Sequence, residues 1–392
     1  MRNLRERLMA VTASKPAASP AQQPIRREPF FCREQVVPLH ELGGIEETTI
    51  EDIRACDPLF TGQYWDAHRA LFLDTETTGL SSGAGTVAFE IGVGWIEARG
   101  MVIRQYVMRD YGEEAAMLAE IAALLRRAET VVTFNGKTFD LPLLESRMIL
   151  NRIRLPLTEM PHLDLLHAAR RVYKLRLKRC NLAALEEAVL GKTRRDDLPG
   201  GQVPQRYFDY LRTGEFALLE DVLRHNFDDV KSLACLTAKL CAAFRCPEGI
   251  EHPEDLLGVG KTLMRGGQTH KARRCMTILG KSTLAPQAHM YLASSYKKEK
   301  QWSEAVQTCQ SMIAQGAGGI WPYIELAKYY EHIAHDDERA LRYAAGALRS
   351  RLNLAPIQGE DDVQIESIRR RIERLRRKQE RKKMLAKEDA RP

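Results

Sequence analysis

Two acids stand two residues apart at the end of an apolar run. In "ALFLDTETTG", Asp74 and Glu76 follow four apolar residues and precede a Thr-Thr-Gly turn. Residues i and i+2 of a strand point the same way, so both carboxylates project together. Near a core that arrangement is costly unless a cation compensates. Mg²⁺ and Mn²⁺ are the hard, oxygen-preferring ions that would do so. A turn or helix-cap acid accounts for one carboxylate but not for the pair.

Two further stretches carry acids with a purpose to explain. In "TFNGKTFDLPLL", Asn135-Gly136 turns the chain off a strand, and Asp140 precedes Pro142 at the head of a helix. Asp140 could cap that helix. It also follows the strand expected beside the first one, so it can reach the same sheet edge. In "VLRHNFDDVKSLACL", His225 and Asp229 are four apart and share one face of an amphipathic helix, with Asp228 pointing elsewhere. An exposed pair of that kind is ordinary surface. Beside three converging acids, it reads as a fourth metal carboxylate with a base that orients or deprotonates water.

The elements that must position these residues are legible as periodicity. "ALFLD" is a short buried strand, and "VAFEIGVGWIEA" alternates, with Phe89, Ile91, Val93 and Trp95 on one face. "MVIRQYVMRD" is a third strand, "TVVTFN" a fourth, and "HLDLL" holds a fifth. Helical spacing appears in "GEEAAMLAEIAALLRRAE" and "LPLLESRMILNRI". The order predicts a mixed five-stranded sheet with helices on its faces, a three-layer α/β architecture.

After about residue 250 strand signals cease, and an all-α helical-repeat region is expected. Leu292 and Leu326 begin similar stretches 34 residues apart, as do Tyr296 and Tyr330; Ala305 and Ala340 are 35 apart, and Ala272 precedes Ala305 by 33. A helix-turn-helix period of this length, with small residues at crossings, resembles the tetratricopeptide repeat. The groove of such a solenoid suits a peptide or a protein partner. In the tail, Ile365, Ile368, Ile372 and Leu375 form one apolar stripe on a basic helix. That helix either caps the repeats or offers its basic face to nucleic acid.

The expected divisions are an arm at 1–28, a lead-in at 29–66 that packs on the next domain, an α/β domain at 67–247, repeats at 253–356 and a basic helix at 361–388. The arm is rich in Ala, Pro, Ser and Gln and reads as a disordered polar lead, with a transit peptide as the alternative. No apolar run is long enough to span a membrane. Eight scattered cysteines without a C-x-x-C pair argue against a zinc ribbon or a secreted disulfide framework, and point to a reducing cytoplasm. The net charge of +7 permits a polyanionic partner without requiring one.

Several motifs are decoys. "GVGKT" at Gly258–Thr262 has Asp255 where a phosphate-binding loop needs its first glycine. His162, Asp164 and His167 mimic a metal cluster, but Asp164 is better placed to end a strand and cap the next helix. In "RRVYKLRLKRC", Arg171, Lys174 and Lys178 are candidates for phosphate contact or simple surface.

Together the three acid-bearing motifs resemble the DEDD superfamily of 3′-5′ exonucleases, which have the RNase H-like fold. The first stands as Asp74-Thr75-Glu76-Thr77-Thr78-Gly79, the second as Asn135 to Pro142, the third as His225-Asn226-Phe227-Asp228-Asp229. The segments between, "RCNLAALEEAVLG" and "RDDLPGGQVPQRYFDYLRTG", look like those of the bacterial YprB-type RNase H-like proteins, some of which carry tetratricopeptide repeats. The third motif has the spacing of the superfamily's Tyr class with the residue of its His class.

The resemblance implies a metal-dependent nuclease acting on the 3′ end of single-stranded or frayed DNA or RNA. Asp74, Glu76, Asp140 and Asp229 would hold two Mg²⁺ or Mn²⁺, with His225 positioning or deprotonating the water. Thr77, Leu80 and Asn135 would lie near the substrate, and Lys174 and Lys178 near its phosphates. The rival is a catalytically weak RNase H-like binding platform whose repeats do the work. A third option is an accessory nuclease switched on by a partner docked on the repeats.

Overall fold

The computed structural model describes residues 29–79, 85–194, 198–352 and 360–388. The chain divides into two units, Met1–Gly249 and Ile250–Pro392. The expected arm at 1–28 and the candidate Leu80 lie outside the described residues.

The strands are β1 (Phe31–Val37), β2 (Ala70–Thr77), β3 (Ala88–Glu97), β4 (Gly100–Val107), β5 (Thr130–Thr133) and β6 (His162–Asp164). They form one mixed sheet in the order β1-β4-β3-β2-β5-β6. β5 lies parallel to β2 and to β6, while the β2–β3, β3–β4 and β1–β4 pairs are antiparallel. Among the described residues the sheet therefore has six strands and not the five expected. The additional strand, β1, comes from the lead-in segment. It bonds only to β4, and Arg33 and Glu34 make ion pairs with Glu220 and Arg104. An edge strand with charged side chains lacks the apolar alternation that reveals an inner strand.

The helices of this unit are α1 (Ile50–Cys56), α2 (Glu114–Leu125), α3 (Asp140–Leu150), α4 (Leu165–Tyr173), α5 (Leu182–Leu185), α6 (Val203–Thr213) and α7 (Glu220–Arg245). α5 runs on into a wider π turn at Glu186–Leu190. On one sheet face Leu71, Leu73, Phe89, Ile91 and Val93 share a core with Met117 and Ile121 of α2, Leu144 of α3 and Tyr207 of α6. The Phe89 and Tyr207 rings stack, with centroids 4.0 Å apart.

Alternation sends Phe72, Asp74 and Glu76 to the opposite face. That face is covered by α7, which packs on β2, β3 and β4 and against α1. The helix lies low because β3 clears a path for it. Gly92 and Gly94 pair with Asp74 and Phe72 in the β2–β3 register. A Cβ on Gly92 would come 2.0 Å from Asn226 Oδ1, and one on Gly94 would come 2.9 Å from Val230. The alternating glycines of "EIGVGW" are thus the floor on which α7 rests.

The second unit contains α8 (Pro253–Arg265), α9 (Thr269–Leu279), α10 (Ala285–Lys298), α11 (Trp302–Ala314), α12 (Trp321–His332), α13 (Asp337–Leu352) and α14 (Glu360–Glu388). Each helix packs on the next. Ala272, Ala305 and Ala340, the recurring small residues, are all buried. Gly258–Thr262 lies inside α8, where a Cβ on Gly260 would strike Cys275 and Met276. This "GKT" therefore serves helix crossing, not phosphate binding. The stripe on α14 buries Ile368, Ile372 and Leu375 against Ala340, Ala344 and Ala347. Arg371 and Arg374 reach Glu331, and Lys378 and Lys382 reach Asp337. Among the described residues no helix is long and apolar enough to cross a membrane.

Candidate functional site

β2 ends in the site. Asp74 and Glu76 are half-buried on the face under α7, and the register slips between Glu76 and Thr77. Such a bulge re-aims side chains at a strand end. Asp140 opens α3, directly after the β5–α3 loop. Its preceding residue, Phe139, makes no side-chain cap, and the Asp140 carboxylate instead accepts a hydrogen bond from the Thr75 hydroxyl. The alternative that Asp140 merely caps its helix is thus not what is seen. It is turned to β2.

The loop carrying Asp140 is held from beneath. Asn135 adopts a left-handed conformation, φ 70°. Gly136 follows because a Cβ there would lie 2.3 Å from Thr133 Oγ1. Asp164, 3% exposed at the end of β6, accepts from the backbone N–H of Asn135 (2.8 Å), Lys137 (3.1 Å) and Leu166 (3.1 Å). One carboxylate therefore caps α4, as expected, and also ties down the neighbouring loop. His162 bonds the Thr133 hydroxyl instead of joining a metal cluster.

α7 supplies the third side of the site. Asn226, fully buried, donates from Nδ2 to Asp74 Oδ2 at 3.0 Å. His225 Nε2 lies 3.8 Å from Glu76 Oε1 and 3.7 Å from Asp229 Oδ2. Glu76, His225 and Asp229 each bring one ligand atom within 4.8 Å of the others. Asp228 turns away and takes Lys192 at 2.6 Å.

All four acids are raised by burial. Burial, then repulsion from Asp229 and Asp140, holds Asp74 well above the usual carboxylate range, against the pull of Asn226. Glu76 is raised likewise by burial and by Asp74, Glu90, Asp229 and Asp140. Burial pushes Asp140 up to about 6, with the Thr75 bond opposing it. Asp229 is raised by burial although Arg194 and His225 pull it down. Converging, oxygen-rich carboxylates that repel each other match the donor set a hard divalent ion requires.

Around them stand residues whose roles no motif announced. Glu90 faces Glu76 across the register, and burial pushes it up to about 8. Gln105 donates to Glu90, to the Leu223 carbonyl and to Asn226. Arg194 and Glu186 form a buried pair against Asp229 and His225. Glu186 and Arg194 follow no periodicity, and Asn226 is hidden between two motif positions. Glu90 sits in an alternating strand, where its inward parity was the available signal.

The remaining candidates are less tightly gathered. The Thr77 hydroxyl donates to the Gly79 carbonyl at 2.7 Å and shapes the turn. Asn135 is exposed, and its side-chain oxygen accepts from Thr138. Arg171 is committed to Asp57 (2.7 Å) and the Cys56 carbonyl, so its candidate role in phosphate contact gives way to a structural pair. Lys174 and Lys178 are exposed at and beyond the far end of α4, about 13 Å of helix away from Asp164.

Residues 71–241 match the RNase_H_2 family of the RNase_H superfamily. The uncharacterized protein YprB of Bacillus subtilis (strain 168) is 31% identical over 359 residues, covering 89% of this chain and 82% of the relative. Among solved structures, the family B DNA polymerase of the hyperthermophilic archaeon Pyrobaculum calidifontis is similar over 57% of this chain, with 14% identity and a TM-score of 0.33. That match takes in 29% of the polymerase chain, and a likeness so distant says nothing of substrate. The superfamily is one of nucleic-acid-processing nucleases, and such members generally use divalent metals. A matching superfamily domain and a similarity that runs through most of both chains place this protein in one family with YprB, as an RNase H-like protein with a helical C-terminal unit.

Proposed function

We propose that the first unit is a divalent-metal-dependent nuclease of the DEDD type, trimming single-stranded or frayed nucleic acid from its 3′ end. The observation that carries this reading is the grouping of Glu76, His225 and Asp229, with Asp74 and Asp140 near enough to repel Glu76. Asp74, Glu76, Asp140 and Asp229 would hold two Mg²⁺ or Mn²⁺. When bound, such ions supply water activation and neutralise charge on the phosphate and leaving oxygen. His225, with Nε2 3.8 Å from Glu76 and 3.7 Å from Asp229, would orient the attacking water. Thr77 and Asn135 border the acids in sequence and would shape the path of the terminal nucleotide, with Lys174 and Lys178 as more distant phosphate contacts.

The nuclease domain is assigned to 67–247 and tetratricopeptide-like repeats to 253–356, with 361–388 as a basic cap. The 33-to-35-residue recurrence of buried alanines supports the repeat reading and a protein partner on that unit. Eight scattered cysteines without a C-x-x-C pair support a reducing, cytoplasmic location.

The test is cleavage of 5′-labelled single-stranded DNA and RNA with Mn²⁺, Mg²⁺ or EDTA, comparing wild type with Asp74→Ala. A metal-dependent ladder shortening from the 3′ end, lost in the variant, is expected and names the substrate. No cleavage with any metal would overturn the reading in favour of a binding platform or of a nuclease switched on by a partner.

A further inference from the structure

Arg194 is 7% exposed and Glu186 is 1% exposed, yet neither is among the acids or the base of the proposed reaction. The Arg194 guanidinium forks onto Glu186 with Nε at 2.6 Å from Oε2 and Nη2 at 2.8 Å from Oε1. It has donors to spare. Nη2 also donates to Asp229 Oδ1, and Nη1 lies 3.2 Å from His225 Nδ1. Arginine has no acceptor, so it is the donor in that contact and Nδ1 is the acceptor.

The atoms that Arg194 grips are the outer ones. Asp229 Oδ2 and His225 Nε2 are left turned toward each other and toward Glu76, at 3.7 and 3.8 Å. Glu186 is itself fixed by the Ser232 hydroxyl from α7. It begins the π turn Glu186–Leu190, which Gly191 ends in a left-handed conformation, φ 67°. π turns are rare and recur at functional sites. Here the turn brings the chain back so that Arg194 meets Glu186 eight residues on, while Lys192 pins the same loop to Asp228.

A buried ion pair is a poor device for stability, since apolar residues of the same volume do as well or better. A pair whose spare donors reach two site residues has another use. The Arg194–Glu186 pair carries no net charge as a unit; it brings fixed donors to Asp229 and His225, and the nearer guanidinium also favours the Asp229 carboxylate.

We propose that Glu186 and Arg194 are positioning residues: a charge-neutral clamp that holds the Asp229 carboxylate in the geometry needed for divalent-metal binding and fixes the ring of His225 beside it. The proposal rests on the metal reading of the site. Outer partners of metal ligands are typically worth about 10–100-fold in affinity.

The experiment is Mn²⁺ titration of the full chain by calorimetry, on wild type, the double variant Arg194→Met/Glu186→Gln, and Arg194→Lys. The double variant leaves net charge unchanged and removes both members of the pair, although Asp229 loses its guanidinium partner. It is expected to bind Mn²⁺ about 10–100-fold more weakly than wild type while keeping its near-UV circular dichroism. Arg194→Lys keeps the charge but lacks the planar fork, so it should also lose affinity. Equal or tighter binding by both variants would overturn the clamp alone. A wild type that binds no Mn²⁺ would overturn the metal reading and the clamp together.

Discussion

Gly92 lies directly beneath Asn226, so close that a Cβ on the glycine would stand 2.0 Å from Asn226 Oδ1. Asn226 in turn holds Asp74 at 3.0 Å. One missing methyl on β3 thus sets the height of α7 and the aim of the first acid. Gly92→Ala should cost about 1–3 kcal/mol through overpacking. It should also weaken Mn²⁺ binding, because Asn226 must move off Asp74. Gly201→Ala, where a Cβ meets nothing, should change stability by less than about 0.5 kcal/mol. Urea unfolding and metal titration of the two variants read both effects.

Glu90 gives the site a pH signature. Burial raises it from 4.5 to about 8, so the folded state holds a proton that the unfolded chain releases. Its contribution to stability is full below about pH 4.5, declines as pH rises, and is gone above about pH 8. Glu90→Gln, which cannot ionise, should flatten the decline between pH 5 and 8 in metal-free protein. Asp74, Glu76 and Asp140 are raised in the same direction. Mn²⁺ should therefore raise the unfolding temperature more at pH 8 than at pH 5, where protons compete for the carboxylates. A decline of equal steepness in wild type and variant would refute the assignment to Glu90.

Asp164 should matter without touching the reaction. Its carboxylate takes three backbone N–H groups from two elements. Asp164→Ala leaves them without that partner and should cost about 1–3 kcal/mol. Hydrogen exchange at Asn135 and Lys137 should quicken in the variant while exchange in β3 does not.

On α14 the apolar stripe and the basic face separate cleanly. Leu375 is fully buried, so Leu375→Ala should destabilise its unit by about 2–5 kcal/mol. Arg376 is exposed, and Arg376→Ala should change stability by less than about 0.5 kcal/mol. Thermal unfolding of the two variants distinguishes a packed cap from a solvated arm.

Local signals in the sequence reveal strands β2 to β6, the first helices after them and the four candidate acids. Each of those is a local signal. A buried strand is a run of Ala70 to Leu73, a helix face is His225 with Asp229, and an i, i+2 pair of acids is visible in eight residues. The sequence also separated Asp228 from Asp229, because helical spacing assigns them different faces.

The rest depends on contacts between segments distant in sequence. β1 escaped because an edge strand bonds on one side and carries charges that mask its alternation. Asn226 and Gln105 escaped because their partners lie far away along the chain, and a hydrogen bond across 152 residues leaves no period to read; Glu186 and Arg194 escaped because a π turn, not a regular helix, brings them together. Gly92 looked like an ordinary strand glycine until α7 was laid across it. Which groups are ionisable is written in the residue types, but how far each is pushed depends on burial and on neighbours that only folding brings together.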